Sequence, residues 1–382
     1  MRPDDDVLFR SFTTSSGGGE HFIVVQADPS RDFAGQVRSV EERYRAALDK
    51  AGLVPQSSVF RRVFLSDVIN QAALVRESAL VDPETAVSLV QQVPLRGAKI
   101  ALLAYHVDGP APLVKNRLSS KHLLVEKNGQ HHLWSTRMCS GDSETANSPE
   151  KQTRDIFNEL VDVLASQGAT LLDHCVRTWI YMKDVDVFYK GMVDSRRELF
   201  REQGLNGSTH YISSTGIEGA CSHRWDLVSM DAYSHLSLVR GQMSFLNDFD
   251  HLCATKDYNV TFERGTRIAY ADRAHHFISG TASIDSQGDV VHPGDVLRQL
   301  ERAMRNVEAL LRSGRAAIAD MMYLLVYLRD PADYPAVQAW LAEHHPGLPA
   351  LIVQGAVCRP AWLIEVEGVA VCAHDDPALP AF

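Results

Sequence analysis

Three times along the chain a glutamine opens an amphipathic helical pattern, and an apolar run ending in aspartate follows at a near-constant distance. The first copy runs from Gln36 to Val63-Phe64-Leu65-Ser66-Asp67. The second runs from Gln152 to Trp179-Ile180-Tyr181-Met182-Lys183-Asp184, and the third from Gln299 to Leu325-Val326-Tyr327-Leu328-Arg329-Asp330. The Gln-to-Asp separations are 31, 32 and 31 residues. Self-similarity at a fixed period marks repeats of one supersecondary unit rather than unrelated domains. The 382 residues therefore divide into three units of about 100–115 residues, each the size of an ordinary single domain.

Each copy continues with a second helix and a closing apolar strand, Ala98–Ala104 in copy one and Trp362–Glu367 in copy three. Leu102 and Glu365 each stand 35 residues beyond their aspartate, which makes them repeat equivalents. Copy two reaches Trp225–Met230 only after extra residues. In the third helix Leu297, Leu300, Ala303, Met304, Val307 and Leu310 form one stripe, opposite Arg298, Glu301, Arg302 and Arg305. The run His276–Ile284, a turn at Asp285–Gly288 and Asp289–Val291 read as a hairpin ahead of that helix. The resulting order ββαβαβ is an α+β class, with helices on one face of a mixed sheet. The uncovered faces need burial, and three units packed sheet to sheet as a pseudo-trimer supply it. The expected boundaries are 1–118, 119–245 and 246–382, with Asn128-Gly129 and the stretch near Asn247-Asp248 as connecting turns.

Composition excludes several classes. The formal charge of −10 argues against nucleic acid, whose binders need a basic stripe. No apolar run is long enough to span a membrane. The acidic start Met1-Arg2-Pro3-Asp4-Asp5-Asp6 is unlike a signal peptide. Six cysteines without a CxxC pair fit a reducing cytoplasm. The pairs His131-His132, His275-His276 and His344-His345 lack partners at ligand spacing, and neighbouring strand residues face opposite ways, so no metal site is expected. Gly17-Gly18-Gly19 after Thr13–Ser16 reads as a flexible lead-in, and Pro377-Ala378-Leu379-Pro380 as a tail.

The third copy is similar to the Rid (reactive intermediate deaminase, YjgF-like) superfamily. The segments that carry the similarity are FISGTASIDSQGDVVHPGDVLRQLERAMRNVEALL, YLLVYLRDPADYPAV and WLIEVEGVA. That family consists of small trimeric proteins of chorismate-mutase-like (bacillus-type) fold, with sites in the clefts between subunits. The resemblance implies that three Rid-like units in one chain replace the trimer: a degenerate N-terminal copy, a middle copy and a C-terminal copy carrying the acid. A narrower resemblance is to the chorismatases, which release pyruvate from chorismate. Its carriers are Ser279–Ile284 with His292-Pro293-Gly294-Asp295, then Tyr258–Arg264, then Val176–Tyr181 with Tyr189 and Arg196-Arg197, and Ser214-Thr215-Gly216-Ile217. Glu218 replaces the glycine expected after Ile217.

The resemblance implies a cofactor-free reaction on a small carboxylate substrate, giving a hydroxybenzoate or a dihydroxy acid. Protonating an enolpyruvyl methylene calls for a carboxylic acid with a raised pKa. Glu365, inside an apolar strand, fits; the competing reading turns it outward to solvent with Glu367, which has the same parity. The substrate's carboxylates call for arginines, and Arg177, Arg264 and Arg359 lie on or beside the matched segments. Arg177 reads equally as a rim residue, Arg264 as part of a surface charge net with Glu263, Asp272 and Arg273, and Tyr181 as strand packing or a ring-hydroxyl ligand. Cys358, seven residues before Glu365, together with Gly280, resembles the hydroxybenzoate-forming type; a buried inert thiol is the alternative. The expected site thus combines Glu365 and Cys358 with the substrate-binding residues Arg177, Tyr181, Arg264, Ser279, Gly280, Thr215 and Arg359. Plain Rid deaminases carry an arginine after Pro-Ala; here Leu351 follows Pro349-Ala350, which counts against an imino acid substrate. Two other readings stay open: a Rid-like hydrolase or condensing enzyme acting on an enamine, imine or polyketide-like intermediate, and a non-catalytic ligand-binding module. The chain is either a monomer with internal threefold symmetry or a homo-oligomer of that unit.

Overall fold

The structure, a computed structural model, describes residues 6–14, 17–141, 148–221, 223–253, 255 and 261–382. Met1 to Asp5, Ser15, Ser16 and the Tyr258-Asn259-Val260 part of the second matched segment lie outside them. The described residues form α-helices and three mixed sheets.

The first sheet contains β1 (Val7–Thr13), β2 (Gly19–Gln26), β3 (Ser58–Leu65), β4 (Ala86–Gln91) and β5 (Ile100–Val107), in the order β1-β2-β5-β3-β4, with helices α1 (Phe33–Ala51) and α2 (Val68–Arg76). The second contains β6 (Val114–Arg117), β7 (His122–Lys127), β8 (Gln130–Cys139), β9 (Cys175–Met182), β10 (Ser213–Glu218) and β11 (Val228–His235). Its order is β10-β9-β11-β8-β7-β6, with α3 (Pro149–Ser166), α4 (Leu171–His174) and α5 (Val185–Glu202). The third contains β12 (Met243–Phe245), β13 (Gly265–Ala269), β14 (Arg273–Ala282), β15 (Met321–Leu328), β16 (Ala350–Gln354) and β17 (Ile364–Ala373). Its order is β12-β13-β14-β17-β15-β16, with α6 (Val296–Ser313) and α7 (Tyr334–His344). Leaving aside the edge strands β6 and β12, the strand order is the same in all three.

The repeated glutamine and aspartate have one physical role each. Gln36, Gln152 and Gln299 are buried, each in the fourth position of its helix. Their side-chain carbonyls accept the N–H of Lys99, Leu227 and Leu363, each the residue just before the closing strand, at 2.7–2.8 Å. The glutamine thus supplies a hydrogen bond that neither helix nor sheet can, and it fixes where the closing strand starts. Asp67, Asp184 and Asp330 cap the helical turns that follow, accepting from the N–H of Asn70, Val187 and Ala332.

Several sequence expectations need correction. Each sheet has a strand that ββαβαβ omits, since β4, β10 and β16 pair parallel to β3, β9 and β15 before the closing strand, and the second and third sheets add the edge strands β6 and β12. Asn128-Gly129 is the two-residue turn of the β7–β8 hairpin, with both residues at positive φ, not a link between units. Asn247-Asp248 lies inside the third sheet, between β12 and β13. The third hairpin is β13–β14, while 289–291 contributes an isolated bridge, Ile284↔Val290. The 17–19 glycines turn β1 into β2 rather than leading into the fold. Residues 377–382 pack back, Pro380 accepting from Ala271 N–H at 2.9 Å and Phe382 being buried.

The equivalence of Leu102 and Glu365 is also off by one. Leu65 pairs with Ile100 and Leu328 with Ile364, so the residue matching Glu365 is Ala101. The loop before β17 is one residue longer, and because strand side chains alternate, a slip of one changes the face. Leu102 lies in the core beneath α1 and α2, whereas Ala101 and Leu103 face the interior shared by the sheets.

That shared interior holds the uncovered faces of all three sheets. Phe60 and Tyr105 of the first meet Trp134, Trp179 and Tyr233 of the second and Phe277, Tyr323 and Tyr327 of the third. At its centre is a buried charge cluster. Arg177 donates to Glu367 at 2.6 Å and also bonds Thr215. Arg62 reaches Asp231 at 3.4 Å and Glu367 at 3.8 Å. Trp179 Nε1 donates to Glu367 at 2.9 Å, and its ring lies 4.6 and 4.9 Å from the two guanidinium carbons.

The glutamine bond gives a test. Replacing Gln299 with Leu keeps the volume but strips Leu363 N–H and the carbonyls of Ala361 and His292 of their partner. The expected cost is about 2–4 kcal/mol, read as a lower urea midpoint at unchanged slope. An unchanged midpoint would show that the bond does not hold the strand.

Candidate functional site

Between the second and third sheets a cleft of about 330 Å³ opens, within the size range of small-molecule sites. Its floor comes from β17 and β14, one wall from β10 and α5, and the other from the 358–362 segment. The junction is set by the Ser279-Gly280 bulge of β14, where the pairing with β17 shifts register. Ser279 accepts from Ser214 N–H at 2.9 Å and donates to the Glu263 carbonyl at 2.6 Å. Gly280 N–H donates to Thr215 Oγ1 at 2.9 Å. These bonds lock the edge of the second sheet against the third.

Glu365 lies at the base of this cleft, 5 % exposed. Among the described residues no group hydrogen-bonds to its carboxyl. Its strand neighbour two residues on, Glu367, shares its face as parity requires, deeper in the core. Burial, and next the Glu367 carboxylate, push the Glu365 carboxyl up to about 8, against the opposing pull of Arg177 and Arg264. At neutral pH it is therefore a proton carrier. Gly280 makes room for it: a Cβ there would run into Glu365 Oε1, 2.9 Å from its Cδ and 3.1 Å from Thr215 Cγ2. Cys358, half-buried, lines the same cleft. Burial, followed by the neighbouring Glu365, pushes its thiol up to about 12, so it is uncharged at neutral pH.

Five cationic side chains line the cleft, Lys190, Arg196, Arg197, Arg264 and Arg359, against two acids, Asp194 and Glu365. Asp194 is bound to Lys190 and, at 3.0 Å, to Arg197. Arg264 is buried; it donates to the Cys253 carbonyl at 3.2 Å, and its guanidinium carbon lies 5.4 Å from the Phe262 ring. Arg264 is not part of the expected surface net, since Asp272 binds Arg273 instead. Arg359 packs over Trp362 at 4.7 Å and donates to the Gly288 carbonyl. Arg196 is buried, donating to Thr261 Oγ1 at 3.1 Å.

Of the nine residues expected from the sequence, the structure brings six to this cleft: Glu365, Cys358, Gly280, Thr215, Arg264 and Arg359. Ser279 lies just behind the wall, fully buried as the clamp described above. Arg177 and Tyr181 do not reach the cleft. Arg177 is spent on Glu367 and Thr215, and Tyr181 donates to Asp231 at 3.2 Å in the central cluster. A cation in an apolar strand had suggested a ligand; its partner was a buried acid from another sheet. Tyr189, Arg196 and Arg197 belong to the segments similar to the chorismatases, and the resemblance assigns them no role. On α5 the residues 189, 193, 196 and 197 follow helical spacing and share the face turned to the cleft. That periodicity was the available signal.

Residues 267–372 match the family model described as Endoribonuclease L-PSP. Over 96 residues the chain is 34 % identical to the 3-aminoacrylate deaminase RutC of Acinetobacter baylyi, a match covering 25 % of this chain and 76 % of that protein. The chain belongs to the Rid (YjgF-like, L-PSP) family. The matched stretch supplies β14, α6, β15 and β17, and with them Gly280, Cys358 and Glu365 of the cleft. The fold extends the likeness well beyond the Rid segment. A chorismatase crystal structure superposes with a TM-score of 0.62 at 18 % identity, covering 82 % of this chain and 93 % of that one. At that identity the likeness is one of fold.

The state of Glu365 has a measurable consequence. Its carboxyl is raised in the folded chain, so between the ordinary value of 4.5 and about 8 the unfolded chain releases a proton that the folded chain keeps. Stability contributed by the neutral acid is complete below 4.5 and is lost as pH rises to about 8. Denaturant titrations at pH 5 and pH 8 should show a drop on the order of a few kcal/mol that Glu365→Gln removes. Parallel profiles for the two proteins would mean that Glu365 ionises normally.

Proposed function

We propose that the chain is an enzyme of the chorismatase type, releasing pyruvate from chorismate or a related enolpyruvyl cyclohexadiene acid. The observation carrying this reading is a neutral, buried carboxylic acid facing a cleft rich in arginine. Glu365 gives its proton to the enolpyruvyl methylene, which becomes a methyl group and leaves positive charge on the ether carbon. Water captures that carbon and its proton returns to the Glu365 carboxylate. The hemiketal then collapses, its hydroxyl proton passing to the ring oxygen as the ether C–O bond breaks, which frees pyruvate and the ring diol; loss of water from the diol gives a hydroxybenzoate. Arg264, Arg359, Arg196 and Arg197 are the candidates to hold the substrate's carboxylates. The un-ionised Cys358 thiol shapes the cleft and offers a weak donor beside the acid. Gly280 and Cys358 together favour the hydroxybenzoate-forming variant over simple ether hydrolysis.

The same reading treats 1–118, 119–245 and 246–382 as three Rid-like copies forming a pseudo-trimer within one chain. The common strand order of the three sheets and their shared interior support it. A deaminase acting on an imino acid is less well supported, because the position after Pro349-Ala350 is the buried Leu351 rather than a cation.

Incubation with chorismate, with pyruvate followed through lactate dehydrogenase, tests the proposal. Glu365→Gln should lower kcat/KM by about 10²–10⁴-fold. Gly280→Ala displaces the carboxyl and should cost on the order of 10²-fold, mostly in kcat. No pyruvate above the Glu365→Gln background would overturn the reading.

A further inference from the structure

A second group of chemically active side chains lies outside the cleft, at the far end of β8. Cys139 closes that strand; His223 and Asp226 come from the loop that leads into β11. One ligand atom from each lies within 4.8 Å of the others. His223 Nδ1 is 3.4 Å from Cys139 Sγ and 3.1 Å from Asp226 Oδ2. Zinc–ligand bonds of about 2.3 Å to sulfur and about 2.0–2.1 Å to nitrogen and oxygen imply tetrahedral edges of about 3.5 Å for S···N and about 3.3 Å for N···O. The observed separations match both edges. One imidazole nitrogen thus faces both the sulfur and the carboxylate oxygen, and a cation placed between them would take a lone pair from each of the three groups.

We propose that Cys139, His223 and Asp226 bind a divalent metal ion of the zinc class, with water in the fourth position. Cys139 and Asp226 are buried, while His223 is exposed at the rim of a separate cavity of about 300 Å³. The half-exposed His223 side is the one from which an ion and its water would enter. Thiolate, imidazole and carboxylate form a donor set suited to zinc rather than to magnesium or calcium. The neighbouring Lys121 ammonium is offset by Glu159 at 2.9 Å. The ion would fasten the segment from 219 to 227. That segment touches the first sheet through the Gln91↔Ala220 bridge and follows Glu218, whose carboxylate accepts from Ala356 N–H at 2.9 Å. Metal binding here is thus a device for holding the second sheet's closing loop against its neighbours. The ligands lie 84 residues apart between Cys139 and His223, so no compact ligand motif announces them.

The test uses the full chain stripped by chelator and titrated with zinc against a chromophoric chelator, then with cobalt(II). One equivalent of zinc should bind per chain and raise the melting temperature. Cobalt should give tetrahedral ligand-field bands together with a thiolate charge-transfer band. His223→Ala, at an exposed position where the fold should persist by circular dichroism, should weaken zinc binding at least ~10-fold and abolish the thermal shift. Cys139→Ser should remove the charge-transfer band. Substoichiometric uptake, equal uptake by the His223→Ala variant, or bound cobalt without the thiolate band would each overturn the proposal. None of these readouts depends on the activity of the cleft at Glu365.

Discussion

The ion cluster at the centre of the shared interior is the constraint on which the rest depends. Arg62 comes from the first sheet, Arg177 and Asp231 from the second and Glu367 from the third. Two cations and two anions balance there. Burying ions is expensive, and a buried pair seldom repays more than a well-packed apolar substitute would. Its value here is registry. A guanidinium that misses its carboxylate leaves an unpaired buried charge, so any sliding of one sheet against another is penalised far more than in a purely aromatic core. Trp179, bonded to Glu367 and flanked by both arginines, ties the cluster to the surrounding rings.

The same balance explains the acid in the cleft. Glu367 and Asp231 already take both central arginines, and Glu365 adds a third carboxyl on the face of Glu367. A third negative charge there would be buried and would repel the Glu367 carboxylate. Desolvation and the Glu367 carboxylate outweigh the pull of Arg177 and Arg264, so the state of lower free energy at neutral pH is the protonated one. The residues that lock the sheets and the residue proposed to deliver a proton thus belong to one electrostatic unit. Thr215 links them physically, bonded to Arg177 and Glu367 on one side and to Gly280 N–H on the other.

Much of this was legible in the residues because the repeat is enforced by side-chain-to-backbone bonds. A glutamine that must reach a fixed strand start, and an aspartate that must cap the next helix, cannot drift in spacing, so both survive as sequence signals where packing residues do not. The helix caps follow the same rule: Asp32, Ser148 and Asp295 each stand four residues before their glutamine and cap its helix. What failed was counting across loops. One extra residue before β17 moves the match of Glu365 from Ala101 to Leu102, and the short strands β4, β10 and β16 lie between the second helix and the closing strand, where the spacing alone does not separate them. Arg177 and Tyr181 were misplaced for another reason. Their partners, Glu367 and Asp231, lie 190 and 50 residues away, and no local pattern distinguishes a cation awaiting a ligand from one already paired within the fold.

The corrected register also shows what the other two sheets place where the third has Glu365. At the position paired as Glu365 is with Tyr327, the first sheet has Ala101 opposite Phe64 and the second has Ser229 opposite Tyr181. Neither is a carboxylic acid. At the next position inward, Glu367 is matched by Asp231 and Leu103, so the anions concentrate where the second and third sheets meet. A homotrimer would have to repeat every buried carboxyl three times around its axis. In this chain the three sheets differ at both positions, with Arg62, Arg177, Asp231 and Glu367 gathered at the centre and Glu365 left neutral at the cleft.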